Sequence, residues 1–467
     1  MQNNNTQKNV FIKIITLVLL VFVLGLFCEK FGFNSKQSLS ISIFALSILG
    51  TLFFWEFRLA FTFIGSSILL VFKVIDIEQL VLSSSLEVIL FLIGMMVIIG
   101  LLKESGFFAW LVVLILRMRN LTARKFTLII SLISALLACA VDEVTAIIFM
   151  VAAILEICDY FEVNPVPFII ISVLSTNIGS SGTVMGNPIG ILIASKSGLT
   201  FEDFIFKAFP IMLLCLLGSV ILIFYIYRKS IRDLDVKIKQ LGTDETFIKL
   251  ISVPIDKQLR SALCILGTVL VFISLHHRIE SAFGLEGNTI LLIVPLIFAG
   301  LVMIWKSDKA RKYIEQDVEW WTLLFFLLLF AQAGTLKYTG VTDFIASRIT
   351  NLAGQNKNSI IAMVLWTSAI GSSVLDNVVL VAAFIPIIQS FQNLNLEPLW
   401  WALLFGGCLG GNITVIGSTA NIVAIGLLEK ERNIKITFLH WIGVGLAVGI
   451  LTIMIVWACL VLLPIYK

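Results

Sequence analysis

The chain has 467 residues, of which 59% are hydrophobic and 13% charged. Soluble domains carry about 25% charged residues, so the deficit excludes an ordinary soluble domain and implies a polytopic membrane protein. The net charge of +4 forms no basic aromatic patch, which argues against a nucleic-acid partner. The seven cysteines are scattered through apolar runs without a CxxC or Cys/His cluster, which argues against a disulfide framework or a zinc site.

In chain order, residues 11–28 form an apolar run without a convincing cleavage site, read as a retained first span. Further spans are expected at 38–54, 59–73 and 86–102. Residues 105–117, ending near Arg117 and Arg119, are too short to cross and are expected at the interface. Segment 125–158 would be about 50 Å long as one helix, against a hydrocarbon core of about 30 Å. As two arms of roughly 15 residues it is too short to cross twice. A re-entrant hairpin with Asp142 and Glu143 at its tip resolves both mismatches. Segment 165–197 reads as a crossing helix interrupted at 177–188, and a span at 204–227 closes the first half.

A charged stretch at 228–260 then divides the chain. After it come spans at 261–275, 288–305 and 320–336, a hairpin at 359–391, a broken helix at 398–428 and a last span at 437–464. Asp142 and Asp376 are 234 residues apart, as are the starts of Lys103-Glu-Ser-Gly106 and Lys337-Tyr-Thr-Gly340. The run from Gly179 through Thr183 to Gly186 reappears 231 residues later from Gly410 through Thr414 to Gly417. Ordered motifs at nearly constant offset indicate a repeat. The expected organisation is an extra N-terminal helix (1–37), a first repeat (38–227), a cytoplasmic linker (228–260) and a second repeat (261–467). Lys and Arg in short loops place the N-terminus in the cytoplasm and the C-terminus outside. About eleven transmembrane helices result, five per repeat, and an odd number inverts one repeat relative to the other. The expected location is a bacterial inner or plasma membrane. The fold class is all-α: two inverted repeats, each with a re-entrant hairpin and a broken helix.

Inverted repeats with broken helices near the midplane are the build of secondary transporters. Broken helices leave free carbonyls and N–H groups facing a cavity. The side chains placed there are Asp142, Glu143 and Thr145 at the first tip, and Asp376 and Asn377 at the second. The first break holds Asn177, Gly179, Thr183, Gly186 and Asn187, and the second Gly411, Asn412, Thr414, Gly417, Ser418 and Asn421. The glycines allow close backbone approach to an ion. Asp142, Asn177, Asp376 and Asn412 are the oxygen donors suited to Na⁺. No Lys or Arg falls among these residues, and a bare negative cluster at depth is costly. A proton or cation must therefore be taken up, so the coupling ion is Na⁺ or H⁺ and no further cofactor is expected.

Each feature has a plainer reading. Asp142 and Asp376 are also expected helix N-caps. Glu143 could sit in water at the hairpin mouth. The small residues could serve close helix packing alone. Cys139 and Cys408 could offer thiols to arsenite, but a buried cysteine is commonly a small hydrophobe.

These residues resemble the ion-transporter superfamily, in particular the citrate-transporter-like group that contains arsenite permeases, NhaD-type antiporters and the P protein. The resemblance is carried by Val141-Asp142-Glu143-Val144-Thr145, Asn164-Pro165-Val166-Pro167-Phe168, Asn177-Ile178-Gly179, Gly186-Asn187-Pro188, Leu375-Asp376-Asn377-Val378, and Gly410-Gly411-Asn412 with Gly417-Ser418-Thr419-Ala420-Asn421. It implies a substrate site between hairpin tips and broken helices, and often a homodimer. Two departures stand out: the group commonly has Asp-Asn where this chain has Asp142-Glu143, and Gly-Asp-Pro-Pro-Asn where it has Gly186-Asn187-Pro188-Ile189-Gly190. The expected function is secondary active transport of a small ion or oxyanion, arsenite- or silicate-like or another anion, coupled to H⁺ or Na⁺. Na⁺/H⁺ antiport is the alternative, followed by a passive channel and an intramembrane acid–base enzyme. No HExxH, GxSxG or GxGD signature supports an enzyme.

Overall fold

The structure is a computed structural model. It describes every residue except Met1, 55–56, 108–109, 112–113, 115–121, 242–256, 354–355, 392–393, 464–465 and 467. Arg117, Arg119, much of the interfacial segment 105–117 and the middle of the linker lie outside the described residues. Among the described residues every regular element is a helix. Seven helices are long and apolar enough to cross a membrane, from Ser35–Phe53 to Phe438–Leu462, and four shorter apolar ones accompany them. The outward faces match that reading. On helix Ala123–Ala140, Leu128, Leu132 and Leu136 are exposed at a four-residue spacing, while Phe126, Ile130 and Ala138 on other faces are buried. In water such a stripe would be an unstable surface; in lipid it is solvated.

The chain forms two compact units, each drawing on both halves of the sequence. One comprises 1–89, 319–360 and 378–396. Here helices Ser35–Phe53 and Arg58–Val71 pack on each other and on Trp320–Tyr338. Asn34 and Gln37 cap the first of these reciprocally. Gln332, buried within Trp320–Tyr338, donates to the Thr62 carbonyl and to Ser66 Oγ, both at 3.1 Å. Arg58 donates to Thr322 Oγ1 and lies over the Phe325 ring.

The other unit comprises 90–318, 361–377 and 397–467. Helix Ala123–Ala140 begins at the Thr122 cap and ends at Val141; Glu143–Tyr160 then starts from the Asp142 cap. The two arms pack together as a hairpin, and both pack on Val166–Gly179. Each arm has 18 residues rather than the roughly 15 expected, about 27 Å at 1.5 Å per residue. Length alone therefore does not separate re-entry from crossing. Helix Val166–Gly179 carries Pro167 in its first turn, and Pro188–Ser197 opens on Pro188, where the missing N–H costs nothing. Gly198, at φ 74°, ends the latter. The eight intervening residues, 180–187, are all buried. The later part of the chain follows the same plan. Lys357–Ser372 and Asn377–Gln389 flank the second tip, and Glu397–Gly410 and Thr419–Arg432 flank a second eight-residue break, 411–418. That break is looser, with Ile416 45% exposed.

The linker is not all irregular. Arg228–Leu241 is an amphipathic helix that buries Ile231, Leu234 and Ile238 and packs on Ala123–Ala140. Asp235 accepts a bond from the Ala123 N–H, and Lys237 pairs with Glu162 at 2.9 Å. The Lys239 ammonium, with that N–H, holds the Asp235 carboxyl below its ordinary value.

Candidate ion-binding site

The two tips and the two breaks converge within the second unit. The first tip is tied to the first break: Cys139 Sγ–H donates to the Gly179 carbonyl at 3.0 Å, and Thr183 Oγ1 donates to the Cys139 carbonyl at 2.6 Å. The second tip is tied to the second break in the same way, by Thr414 Oγ1 donating to the Ser373 carbonyl. The close packing matches too. A Cβ on Gly179 would fall on the Ala135 backbone, and one on Gly410 on the Ala369 backbone. A Cβ on Gly186 would meet the Ser180 carbonyl, and one on Gly417 the Gly411 carbonyl. All these pairs differ by the sequence offsets of 231 and 234.

Asp142 is the N-cap of Glu143–Tyr160. Its Oδ1 accepts from the N–H groups of Val144 and Thr145, both at 2.9 Å. Asp376 Oδ2 accepts from Thr419 Oγ1 at 2.8 Å. Glu143 is 4% exposed, so it does not lie in water at the hairpin mouth. The mouth reading fails because the first turn of its helix faces the second tip and the second break. There Asn377 Nδ2 donates to Glu143 Oε1 at 3.0 Å.

Asn177 is the hub of a buried amide network. Its Nδ2 donates to Asn412 Oδ1 at 2.9 Å and to Asn421 Oδ1 at 2.8 Å. Its Oδ1 accepts from Ser418 Oγ at 3.1 Å. A hydroxyl has one hydrogen, and Glu143 Oε1 stands farther from that hydroxyl, at 3.5 Å. Asn421 donates to the carbonyls of Gly411 and Thr414, both at 2.8 Å, fixing the turn of the second break. Asn187 caps Pro188–Ser197, accepting from the Gly190 N–H, and donates to Ser180 Oγ and Cys408 Sγ.

The predicted residues therefore divide. Glu143, Asn177, Asn377, Asn412, Ser418 and Asn421 meet side chain to side chain across the two halves, Asn187 reaches across to Cys408, and Asp376 bonds to Thr419 within the second half. Asp142 and Thr145 close the first tip. Gly179, Thr183, Gly186, Gly411, Thr414 and Gly417 hold tips and breaks together through backbone contacts. Two participants are not among the candidate ligands read from the sequence, Ser180 and Thr419, whereas Cys408 is weighed there as a thiol or a small hydrophobe. Each lies inside or beside a recognised motif, but only the turn of the backbone aims its side chain inward. Cys408 accepts from Asn187 and Cys139 donates to a carbonyl, so neither thiol is idle packing. No Lys or Arg is among the buried described residues of this unit, and Glu143 Oε2 is buried without a hydrogen-bond partner.

The family model described as "Citrate transporter" matches residues 51–406. An uncharacterized transporter of Mycobacterium tuberculosis is 29% identical over 350 residues, covering 74% of this chain and 79% of that protein. A 46 kDa membrane protein of Mycobacterium leprae is 27% identical, covering 83% and 90%. The human P protein is 27% identical over 429 residues, covering 77% of this chain, which spans about half of that protein's length. The family description and the Mycobacterium tuberculosis relative name transporters rather than enzymes, and the matched region contains the first hairpin, the first broken helix and the second tip. The chain belongs to the citrate transporter family of membrane transporters.

Proposed function

We propose that this protein is a secondary active transporter that moves a small anion, oxyacid or carboxylate coupled to H⁺ or Na⁺ by alternating access. The observation that carries this reading is the meeting of both tips and both breaks around buried acids, with no buried Lys or Arg among the described residues of this unit. Such a site is oxygen-rich and short of positive charge, so it favours co-binding of a cation or proton with an anionic cargo. Na⁺/H⁺ antiport is the second reading, favoured by the same acid-lined site, which accepts either cation in turn. The four-part convergence also supports re-entrant hairpins. The first tip meets the broken helix at its interruption, and Pro188–Ser197 continues about 15 Å beyond. A tip at the end of a full crossing would have no such helix beyond it.

The test is reconstitution into proteoliposomes with an imposed pH or Na⁺ gradient and a panel of citrate, arsenite, silicate and chloride. Gradient-driven accumulation of one of them is the expected result. Flux that never exceeds the cargo's own gradient would make the protein a channel. The proposed topology places the linker in the cytoplasm. A single cysteine substituted at Ser230 is expected to react with a membrane-impermeant maleimide only in inverted vesicles; labelling in intact cells would reverse the orientation.

A further inference from the structure

Two helices of the second unit turn apolar stripes outward. On Ala123–Ala140 the stripe is Leu128, Leu132 and Leu136, each 43–45% exposed. On Phe209–Ile226 it is Leu213, Leu217, Ile221 and Tyr225, 40–72% exposed at the same four-residue spacing. These helices pack on each other, and the linker helix Arg228–Leu241 packs on both. Both stripes end on cations. One turn before Leu128, on the same face, stands the exposed Arg124. Tyr225 ends the other stripe, with the Arg228 guanidinium over its ring at 5.8 Å. Arg232 follows Arg228 by one turn of the linker helix and is also exposed. Arg124 stands close enough to that helix to act, with Lys239, on the Asp235 carboxyl.

The acids nearby leave this charge uncancelled. Asp235 is matched by Lys239 at 2.8 Å and by the Ala123 N–H. Glu162 takes Lys237 at 2.9 Å. Asp233 lines a cavity on the other flank of the linker helix, beside Glu162 and Lys237. Arg124 and Arg232 make no ion pair among the described residues. Guanidiniums thus stand at the polar ends of surfaces that hydrocarbon solvates. A ligand that suits both parts carries a phosphate and acyl chains in one molecule. Arginine grips phosphate through a planar fork of N–H donors. Tyrosine settles at headgroup level, and a helix with one basic and one apolar face lies in the interface. A zwitterionic headgroup brings its own cation to the arginines, whereas an anionic one does not.

We propose that Arg124, Arg228 and Arg232 seat the headgroup of an anionic phospholipid whose acyl chains lie along the stripes of Ala123–Ala140 and Phe209–Ile226. Arg124 is at the foot of the arm whose other end is the first tip, so the seat is distinct from the ion-binding residues. It does not depend on what the chain transports.

Native mass spectrometry of the full chain in detergent, titrated with phosphatidylglycerol or with phosphatidylcholine, counts bound lipids one at a time. The first phosphatidylglycerol is expected to bind more tightly than the first phosphatidylcholine. A cation near an anionic surface is worth roughly fivefold in affinity, so Arg232→Gln should weaken the first phosphatidylglycerol by about that factor. Arg124→Gln/Arg232→Gln should weaken it further, with phosphatidylcholine binding unchanged. That unchanged binding is also the check on folding, and Arg232, exposed on the linker helix, is the single substitution least able to disturb it. Arg311→Gln/Lys312→Gln, in a different basic loop, should alter nothing. Equal affinity for the two lipids, no loss in Arg124→Gln/Arg232→Gln, or an equal loss in Arg311→Gln/Lys312→Gln overturns the seat. Displacement of the lipid by glycerol phosphate would make it a site for a soluble phosphate and overturn the lipid assignment.

Discussion

Gly179→Ala and Gly410→Ala are each expected to leave little folded protein. An added Cβ at either position would land on the backbone of the adjacent hairpin arm, at Ala135 or Ala369. Backbone cannot rotate away as a side chain can, so the broken helix must move off the arm. Overpacking of this kind costs about 1–3 kcal/mol and more where nothing yields. Separating helix from arm would also loosen the bonds that tie each tip to its break. Gly300→Ala is the comparison, since a Cβ there meets nothing within 4 Å. Alanine within a helix is favoured over glycine by about 1 kcal/mol. Thermal unfolding in detergent, followed by size-exclusion recovery, should separate the two classes. Equal midpoints for Gly179→Ala and Gly300→Ala would mean that the close approach is not a structural constraint.

Asn177→Ala is expected to be the most damaging polar substitution. It removes the donor to Asn412 Oδ1, the donor to Asn421 Oδ1 and the acceptor of the Ser418 hydroxyl at once. All four residues are buried. Leaving a buried polar group unsatisfied costs about 1–3 kcal/mol, and three such losses in one network do not simply add. The expected outcome is a large fall in unfolding midpoint together with loss of gradient-driven uptake. Thr127→Ala is a suitable contrast: it removes only a hydroxyl that bonds back to its own helix at the Ala123 carbonyl. A midpoint for Asn177→Ala close to that of Thr127→Ala would show that water or rotated amides satisfy the network without it.

Much of the site is legible in the sequence because of what hydrocarbon forbids. Asp142 within an apolar run, and Gly, Ser, Asn and Thr interrupting two others, had to be sheltered by protein. Their recurrence at offsets of 231 and 234 named Gly179 with Gly410, Thr183 with Thr414 and Asp142 with Asp376, and these prove to make equivalent close contacts or to sit at equivalent tips. The linker helix Arg228–Leu241 was less visible. Ile231, Leu234 and Ile238 fall on one face at helical spacing, but they are interspersed with charged residues.

The sequence by itself determined the class: an all-helical membrane protein of the citrate transporter family, broken at four places whose residues it named. Composition and motif order are one-dimensional properties, and they suffice for that. The packing of distant elements, not the local pattern, makes one acid a helix cap and turns the other to a bond across the two halves. Asp142 and Glu143 are adjacent, yet one turns back onto its own helix N-terminus and the other points at Asn377, 234 residues away. That division depends on how one helix is rotated against elements distant in sequence. Rotation about a helix axis leaves no trace in local pattern when, as here, both neighbours are carboxylates.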